Sequence, residues 1–303
     1  MEAGKGKLYT KMTDALEVFI TQKEKDLRPD TLRSYNSFCR IFGQWTMQAH
    51  PNCMTSTFTR ELANDFLNYI YYERNVSAIS HNNYMKLART FFNWMTENGY
   101  TAENPFEKIK PKRTNEKKRI LIPQEARQTL ANYLKEHDRE LLLACELVFY
   151  SLIRPKEISA IRIEHLHLEE NYITIPGDTA KNHHTRRATI SDEAKAMIDE
   201  RHPELYPQDY YLFGSHGKPS AVKIDKRRFG KRFADVRNRL KLPKEMQLYS
   251  FRDTGITEMI KSGLDDLTVM QHADHSDLKI TSRYAKHADN RLTERIRSSG
   301  LKF

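Results

Sequence analysis

Residues 249–260 read YSFRDTGITEMI and place an arginine, Arg252, within an otherwise apolar helical pattern. Residues 151–162, SLIRPKEISAIR, place Arg154 directly after a very apolar stretch. Burying a guanidinium is costly unless it meets an anion, so each arginine alone fits either a structural ion pair or an anion site. Two such arginines together favour one site that grips the oxygens of a phosphate.

A polar segment near the end of the chain, HADHSDLKITSRYAKH at 272–287, adds two candidate groups. His275 supplies a further hydrogen-bond donor, and Tyr284 has basic neighbours where a packing tyrosine would have apolar ones. Nearby cations stabilise a phenolate, which favours Tyr284 as a nucleophile. Lys181, on the turn DTAKNHH between two predicted strands, is placed to act as a mobile proton donor.

The composition of the chain excludes several classes of protein. Its 303 residues are 39% hydrophobic and 30% charged, and no apolar run reaches the length of about 20 residues that a membrane span requires. The N-terminus lacks the apolar core of a signal peptide, and the three cysteines lack metal-ligand spacing. GxxxxGK[ST], GxGxxG, HExxH and GxSxG motifs are all absent. We therefore expect a soluble cytoplasmic protein with no metal, no cofactor and no membrane partner.

The charge pattern indicates a polyanionic partner and a division into two domains. The formal net charge is +10, and the stretch PKRTNEKKR at 111–119 holds five basic residues against one acidic residue. Lysines and arginines that neutralise phosphates gain affinity by releasing counterions. This polar stretch has no periodicity, so we predict a basic linker at 111–119 between a helical domain at 1–110 and a second domain at 120–303.

The apolar periodicity predicts a mainly α fold with one small antiparallel sheet. In the first domain it predicts helices over 12–26 and 30–50, a third capped by Thr59, and a fourth from about 80 to 97. In the second domain, helices are predicted over 123–137, 138–152 and 224–242 and after residue 190, with strands at 171–177 and 186–190. From residue 250 the chain reads as helical, with interruptions at Gly255, Gly263 and the segment at 272–287.

Five motifs make the chain resemble the tyrosine recombinase, or phage integrase, family over nearly its whole length. SLIRPKE matches the family's first arginine box, TAKNHHTRR its hairpin-lysine turn, YSFRDT its second arginine box, DHSD its histidine box and TSRY its terminal tyrosine box. Residue by residue, these matches correspond to Arg154, Lys181, Arg252, His275 and Tyr284. The first hundred residues resemble the family's SAM-like core-binding domain, and the motif variants resemble integrases of conjugative transposons and prophages.

The resemblance implies a site-specific recombinase that cleaves and rejoins DNA through a 3′-phosphotyrosyl intermediate. Tyr284 would attack the phosphate, Arg154, Arg252 and His275 would stabilise it, and Lys181 would protonate the leaving oxygen. The implied partners are double-stranded DNA, three further copies of the chain on paired DNA sites, and a directionality factor or host DNA-bending protein, which places the protein at the nucleoid. We expect DNA-backbone contacts from the following basic residues: Lys86, Arg89, Lys112, Arg113, Lys117 and Lys118.

Four positions depart from the family pattern. Tyr249 stands in place of a histidine, Asp253 in place of the histidine after Arg252, and Leu152 and Asp274 in place of glycines. A tyrosine seldom accepts a proton near pH 7, so we expect Tyr249 to act as a positioning hydrogen-bond donor.

These departures leave two alternative functions open. One is a DNA-binding relative with weakened catalysis, and the other is an enzyme similar to type IB topoisomerases. Related integrases often carry an additional N-terminal arm-binding domain, which we do not expect within these residues. The tail at 290–303 could dock on a neighbouring copy or close its own domain.

Overall fold

The computed structural model describes residues 7–114, 120–180, 182 and 184–285. The chain divides into two compact units, Met1–Lys117 and Lys118–Phe303. Each unit has its own apolar core. Among the described residues, no helix combines the length and the apolar character that crossing a membrane would require.

The first unit is built from four helices, in agreement with the periodicity. They are α1 (Met12–Asp26), α2 (Pro29–Ala49), α3 (Arg60–Asn68) and α4 (Ala78–Glu97), with a π-helical turn, Tyr69–Glu73, after α3. Side-chain oxygens of Thr59 and Ser77 cap α3 and α4 by accepting from backbone amides. Phenylalanines fill the core in edge-to-face contacts, with Phe42 and Phe66 ring centroids 4.8 Å apart.

The second unit surrounds a small sheet with helices. Its helices are α5 (Gln124–His137), α6 (Arg139–Phe149), α7 (Pro155–Ile158), α8 (Asp192–Asp199), α9 (Arg228–Arg239), α10 (Leu248–Lys261), α11 (Asp266–His272) and α12 (Leu278–Ala285). The strands β1 (Leu166–His167), β2 (Tyr172–Ile175) and β3 (Arg186–Thr189) form an antiparallel sheet in that order, with Ile173 opposite Ala188. The fold class predicted from the sequence is confirmed. Strand β1 was not predicted because two residues are too few for an alternating pattern.

The end of α6 positions Arg154 and corrects one predicted boundary. The helix ends at Phe149, not at residue 152, because Leu152 has a left-handed backbone with φ of 48°. The chain then turns so that Arg154 precedes the first residue of α7, and the Glu157 carboxylate accepts from the Arg154 amide at 3.1 Å. The local backbone thus presents the Arg154 side chain beside Glu157.

The prediction that Gly255 interrupts the chain was wrong, because α10 runs through it without a break. A Cβ at Gly255 would lie 1.9 Å from the backbone oxygen of Phe149 in α6. The glycine therefore serves close helix packing, not a turn. This approach brings the helix that carries Arg252 against the end of the helix that leads to Arg154.

We expect Gly255→Ala to destabilise the protein by about 3 kcal/mol or more, because α10 must move away from α6. For a unit of this size, the melting temperature should fall by about 6–12 °C. Gly230→Ala is the matched control, since a Cβ there meets nothing within 4 Å on the exposed face of α9 and should slightly stabilise that helix. Calorimetry of both variants tests this, and equal melting temperatures would contradict the packing role of Gly255.

Candidate active site

Arg154 is buried and held by two acidic residues. Its Nη1 donates to Glu157 Oε1 at 3.0 Å and to Asp274 Oδ2 at 2.8 Å, and its Nη2 donates to the Asp274 carbonyl at 2.9 Å. Burial works to lower the pKa of Arg154, but the hydrogen bond with Asp274 and the charge of Glu157 outweigh it and raise the pKa. Arg154 is therefore a fixed cation in the site.

Arg252 is fully buried and only partly satisfied. Its Nη2 donates to the carbonyl of Ala273, whereas Nε and Nη1 find no hydrogen-bond acceptor among the described residues. Burial lowers the pKa of Arg252 to about 10; Tyr249 opposes this shift and the charge of Arg154 adds to it. Each unsatisfied buried donor costs about 1–3 kcal/mol, so the fold keeps Arg252 at an energetic expense.

A third arginine, Arg186, was not predicted from the sequence. It opens β3, and its Nη2 donates to Glu157 Oε2 at 3.0 Å while its Nε lies 3.9 Å from Asp274 Oδ2. Nε and Nη1 of Arg186 also lack hydrogen-bond partners within the part of the chain that the structure describes. The signal was present in the motif TAKNHHTRR, where Arg186 follows the turn.

The three arginines form a cluster in which Glu157 bridges Arg154 and Arg186, and Arg252 interacts electrostatically with both arginines. Burial lowers the pKa of Arg186 as well, and the charge of Arg154 lowers it further. Together, Arg186 and Arg252 present four buried guanidinium nitrogens without acceptors among the described residues. Planar guanidinium groups suit the oxygens of a phosphate.

Tyr284 and His275 lie next to residues that flank this cluster, since Asp253 directly follows Arg252 and Asp274 directly precedes His275. Tyr284, on α12, packs against the apolar cluster of α10 and α11, and its ring stacks with His275 at a centroid distance of 6.3 Å. The Tyr284 hydroxyl donates to Asp253 Oδ1 at 2.7 Å, and His275 Nδ1 pairs with the Thr281 hydroxyl at 2.9 Å. The phenol is thus tied to a carboxylate next to Arg252 in the chain.

Two departures from the family pattern keep a glycine-like backbone. Leu152 and Asp274 have φ of 48° and 51°, in the left-handed region that glycine adopts without strain. Asp274 gains two contacts from this conformation, since its carboxylate binds Arg154 and its carbonyl also accepts from Asn182 at 2.7 Å. For Leu152, the compensation is burial, as its side chain lies in the apolar cluster beneath Tyr284.

The other two predicted catalytic residues are Tyr249 and Lys181. Tyr249 is half-buried on α10, three residues before Arg252 and in electrostatic contact with it. Lys181 lies outside the described residues. His272, quoted with the terminal segment, hydrogen-bonds to the Tyr150 carbonyl, and burial lowers its pKa, with the charges of Arg186 and Arg252 adding to the effect.

The basic residues predicted to contact DNA differ in their surroundings. Lys86 and Arg113 are exposed, whereas Lys112 Nζ lies 3.9 Å from the ring centroid of Tyr71. The Arg89 guanidinium donates hydrogen bonds to the carbonyls of Phe106 and Ile109 and so holds the loop that follows α4. Lys117 and Lys118 lie outside the described residues, as does the tail at 290–303.

Comparison with known proteins identifies relatives along most of the chain. Residues 119–291 match the phage integrase family, and residues 11–111 match the phage integrase SAM-like domain. A tyrosine recombinase XerD of Listeria monocytogenes is 21% identical, with 93% of this chain and 97% of that protein aligned. A tyrosine recombinase of Thermosipho africanus is 22% identical over 71% of this chain and 74% of that protein.

Two solved structures have a similar fold. The Tn1549 transposon integrase, in complex with a circular intermediate DNA, has a TM-score of 0.74 at 13% identity and covers 95% of this chain and 99% of its own. A lambda integrase dimer bound to a core site has a TM-score of 0.73 at 14% identity, covering 93% of this chain and 96% of its own.

Proposed function

The chain belongs to the phage integrase family of tyrosine recombinases, and on that basis we propose that Tyr284 is its nucleophile and double-stranded DNA its substrate. The observation that carries the proposal is the group of four unpartnered guanidinium nitrogens of Arg186 and Arg252, within the described residues. They need an anion, and the family's substrate supplies a phosphodiester at this place. The Tn1549 integrase bound to a circular intermediate DNA and the lambda integrase bound to a core site support the same substrate.

In the proposed reaction, Tyr284 Oη attacks a backbone phosphorus and leaves a 3′-phosphotyrosine and a free 5′-hydroxyl. Because the covalent intermediate conserves the bond energy, rejoining needs no nucleotide hydrolysis. Arg154, Arg252 and His275 stabilise the charge on the five-coordinate phosphate. Lys181 protonates the departing 5′-oxygen, and Tyr249 positions the phosphate as a hydrogen-bond donor.

Asp274 competes with the phosphate for Arg154. Its carboxylate holds Arg154 at 2.8 Å, so an incoming phosphate must compete with it for that guanidinium. Nε and Nη1 of Arg252 have no acceptors among the described residues and give the phosphate sites for which Asp274 does not compete, whereas Arg186 Nε lies 3.9 Å from Asp274 Oδ2. Arg186 also joins the predicted phosphate-binding residues.

The first unit and the linker are proposed to follow the DNA backbone, with domains at 1–110 and 120–303 joined by 111–119. Four copies of the chain act on two paired DNA sites, with a directionality factor or DNA-bending protein as further partners. A chromosomal DNA substrate places this activity in the cytoplasm, at the nucleoid. Arg89 contributes by holding the loop from Phe106 to Ile109, not as a free phosphate contact.

A nicked suicide substrate tests the proposed function. Duplexes built from candidate element ends carry a nick next to the scissile phosphate, so that the cleaved fragment diffuses away and traps the phosphotyrosine. A covalent protein–DNA band in a denaturing gel is the expected result. Tight, sequence-specific binding without any adduct would instead support the alternative of a catalytically weakened relative.

We expect the double variant Lys86→Gln, Arg113→Gln to weaken binding to all DNA sequences alike, because we assign these exposed residues to phosphate contacts, which carry no sequence information. The slope of the logarithm of the binding constant against log salt concentration is negative, and its magnitude should decrease by about 0.9 for each phosphate that the variant no longer neutralises. Lys25→Gln is the control, since Lys25 is exposed but lies between Glu24 and its neighbour Asp26. Salt titrations by fluorescence anisotropy measure the slopes, and a slope equal to that of the control would exclude Lys86 and Arg113 from the interface.

A further inference from the structure

The hydroxyl of the half-buried Tyr284 and the buried Asp253 carboxylate form a hydrogen-bonded pair that the family motifs do not explain. Asp253 is 1% exposed and directly follows Arg252 on α10. Its Oδ1 accepts from Tyr284 Oη at 2.7 Å, across 31 residues of sequence. The short distance is typical of a hydroxyl that donates to an acceptor carboxylate.

The neighbouring groups are less suited to take the phenolic proton. Tyr249 occupies the position of the family's histidine, and a phenol is a poorer proton acceptor than a carboxylate or an imidazole. His275 stacks its ring beside Tyr284 at 6.3 Å between centroids and pairs its Nδ1 with the Thr281 hydroxyl. The carboxylate of Asp253, by contrast, is in direct hydrogen-bond contact with the Tyr284 oxygen.

We propose that Asp253 is a catalytic residue that accepts the proton of Tyr284 during strand cleavage and returns it during rejoining. The inference rests on the proposed role of Tyr284 as the nucleophile. As the Tyr284 Oη–phosphorus bond forms, the phosphorus–O5′ bond breaks and the phenolic proton moves to Asp253 Oδ1. The departing 5′-oxygen takes its proton from Lys181, so protons and charges balance on both sides of the phosphate.

The timing of the transfer follows from the acidities involved. A free phenol is a weaker acid than a carboxylic acid by about six pKa units, so Asp253 does not deprotonate Tyr284 in the resting enzyme. As the phenolic oxygen bonds to phosphorus it loses electron density, and its proton becomes acidic enough to transfer. The guanidinium groups of Arg154 and Arg252 stabilise the negative charge that the phosphate gains in that state.

Asp253→Asn is the first test, because the amide oxygen keeps a hydrogen-bond acceptor but cannot take a proton. We expect cleavage of the nicked substrate to slow by about 100-fold or more, the size of effect that general bases contribute. The rate of the variant should rise about tenfold per pH unit between pH 7 and 9, as solvent supplies more phenolate. Asp253→Glu, which retains a carboxylate, should recover part of the lost rate.

A substrate with a sulfur atom in place of the bridging 5′-oxygen separates the two proton transfers. A thiolate leaves without protonation, so this substrate should restore cleavage by Lys181→Ala but not by Asp253→Asn. Asp235→Asn, the same change at an exposed site on α9, is the control and should cleave like the parent. DNA binding and melting temperature are measured for each variant, so that misfolding of Asp253→Asn is recognised. If Asp253→Asn misfolds, the cleavage rate of Asp253→Glu decides whether the carboxylate is needed.

Each outcome bears on one hypothesis. If the parent forms no adduct with any substrate, the proposed function fails. If the parent forms adducts and folded Asp253→Asn cleaves as fast or faster, the pair only restrains Tyr284 and the inference fails. Rescue of Asp253→Asn by the sulfur substrate would also overturn it, because the carboxylate would then serve the leaving group. A cleavage rate for Asp253→Glu no higher than that of Asp253→Asn would overturn it as well.

Discussion

Tyr284→Phe is expected to fold and bind DNA but to form no covalent adduct. The change removes only the hydroxyl, while the ring keeps its packing against the apolar cluster of α10 and α11. Without that oxygen there is no nucleophile to bond to phosphorus, so the loss should be complete, not partial. Nicked-substrate gels measure the adduct, and band-shift titrations measure binding.

The control for Tyr284→Phe removes a different hydroxyl from the same unit. Tyr133 on α5 accepts a hydrogen bond from Arg239 at 2.9 Å, and Tyr133→Phe should form adducts at the parental rate. If Tyr284→Phe still forms an adduct, another of the 15 tyrosines is the nucleophile. Peptide mapping of the trapped phosphotyrosine would then identify it.

Arg252→Met is expected to combine a large loss of activity with a gain in stability. Cleavage should fall by about 10²–10³-fold, as when one charge-stabilising donor is removed from a comparable site. The buried Arg252 Nε and Nη1 have no acceptors among the described residues, so replacing them with an apolar side chain of similar length should stabilise the protein by about 1–3 kcal/mol. Suicide-substrate kinetics and calorimetry provide the two readouts.

Arg237→Met provides the matched control, because Arg237 is also buried but well satisfied. Its Nη1 donates to the carbonyls of Lys244 and Met246 at 2.8 and 3.1 Å, and its other nitrogens donate to Asn238. Removing it should destabilise the protein by about 2–3 kcal/mol and leave cleavage by the folded protein unchanged. Equal destabilisation by the two variants would show that Arg252 is a structural residue.

The pH dependence of stability gives a further check on Arg252. Burial lowers its pKa to about 10, so the folded state disfavours the charged form. Below about pH 10 the guanidinium is charged in both states and the folded state bears the cost, which is relieved as the pH rises past 10. The stability advantage of Arg252→Met over the parent should therefore shrink above that pH.

The acidic residues of the site explain how the fold accommodates a cluster of buried arginines. Glu157, which is 1% exposed, bridges Arg154 and Arg186 at 3.0 Å to each. Asp274 binds Arg154 from a position 120 residues further along the chain. Arg252 receives only a backbone carbonyl through Nη2 among the described residues. Because Arg252 and Arg186 have fewer acceptors than Arg154, a bound phosphate should gain more free energy from hydrogen bonds to Arg252 and Arg186 than from hydrogen bonds to Arg154.

Sequence reasoning was enough for the four helices of the first unit and for the mainly α class, and it supplied Arg154, Arg252, His275 and Tyr284 as predicted site residues. Helical periodicity and capping depend on neighbours within four residues, and those neighbours are visible in the sequence. The same local reasoning failed at Gly255 and at residue 152. There, the contact of α10 with the Phe149 carbonyl and a single left-handed residue decided the course of the backbone.

Only the tertiary structure decided which polar groups of the site meet. The Arg154–Asp274 pair joins residues 120 apart and the Tyr284–Asp253 pair residues 31 apart, and no periodicity relates such positions. Both aspartates were visible in the sequence as departures from a family pattern, where they read as weakened motifs. Packing of α10 and α12 brings the Asp253 carboxylate within hydrogen-bond distance of the phenol, and a left-handed backbone turns Asp274 toward Arg154. A carboxylate acts over a few ångströms, so its role depended on a proximity that folding alone creates.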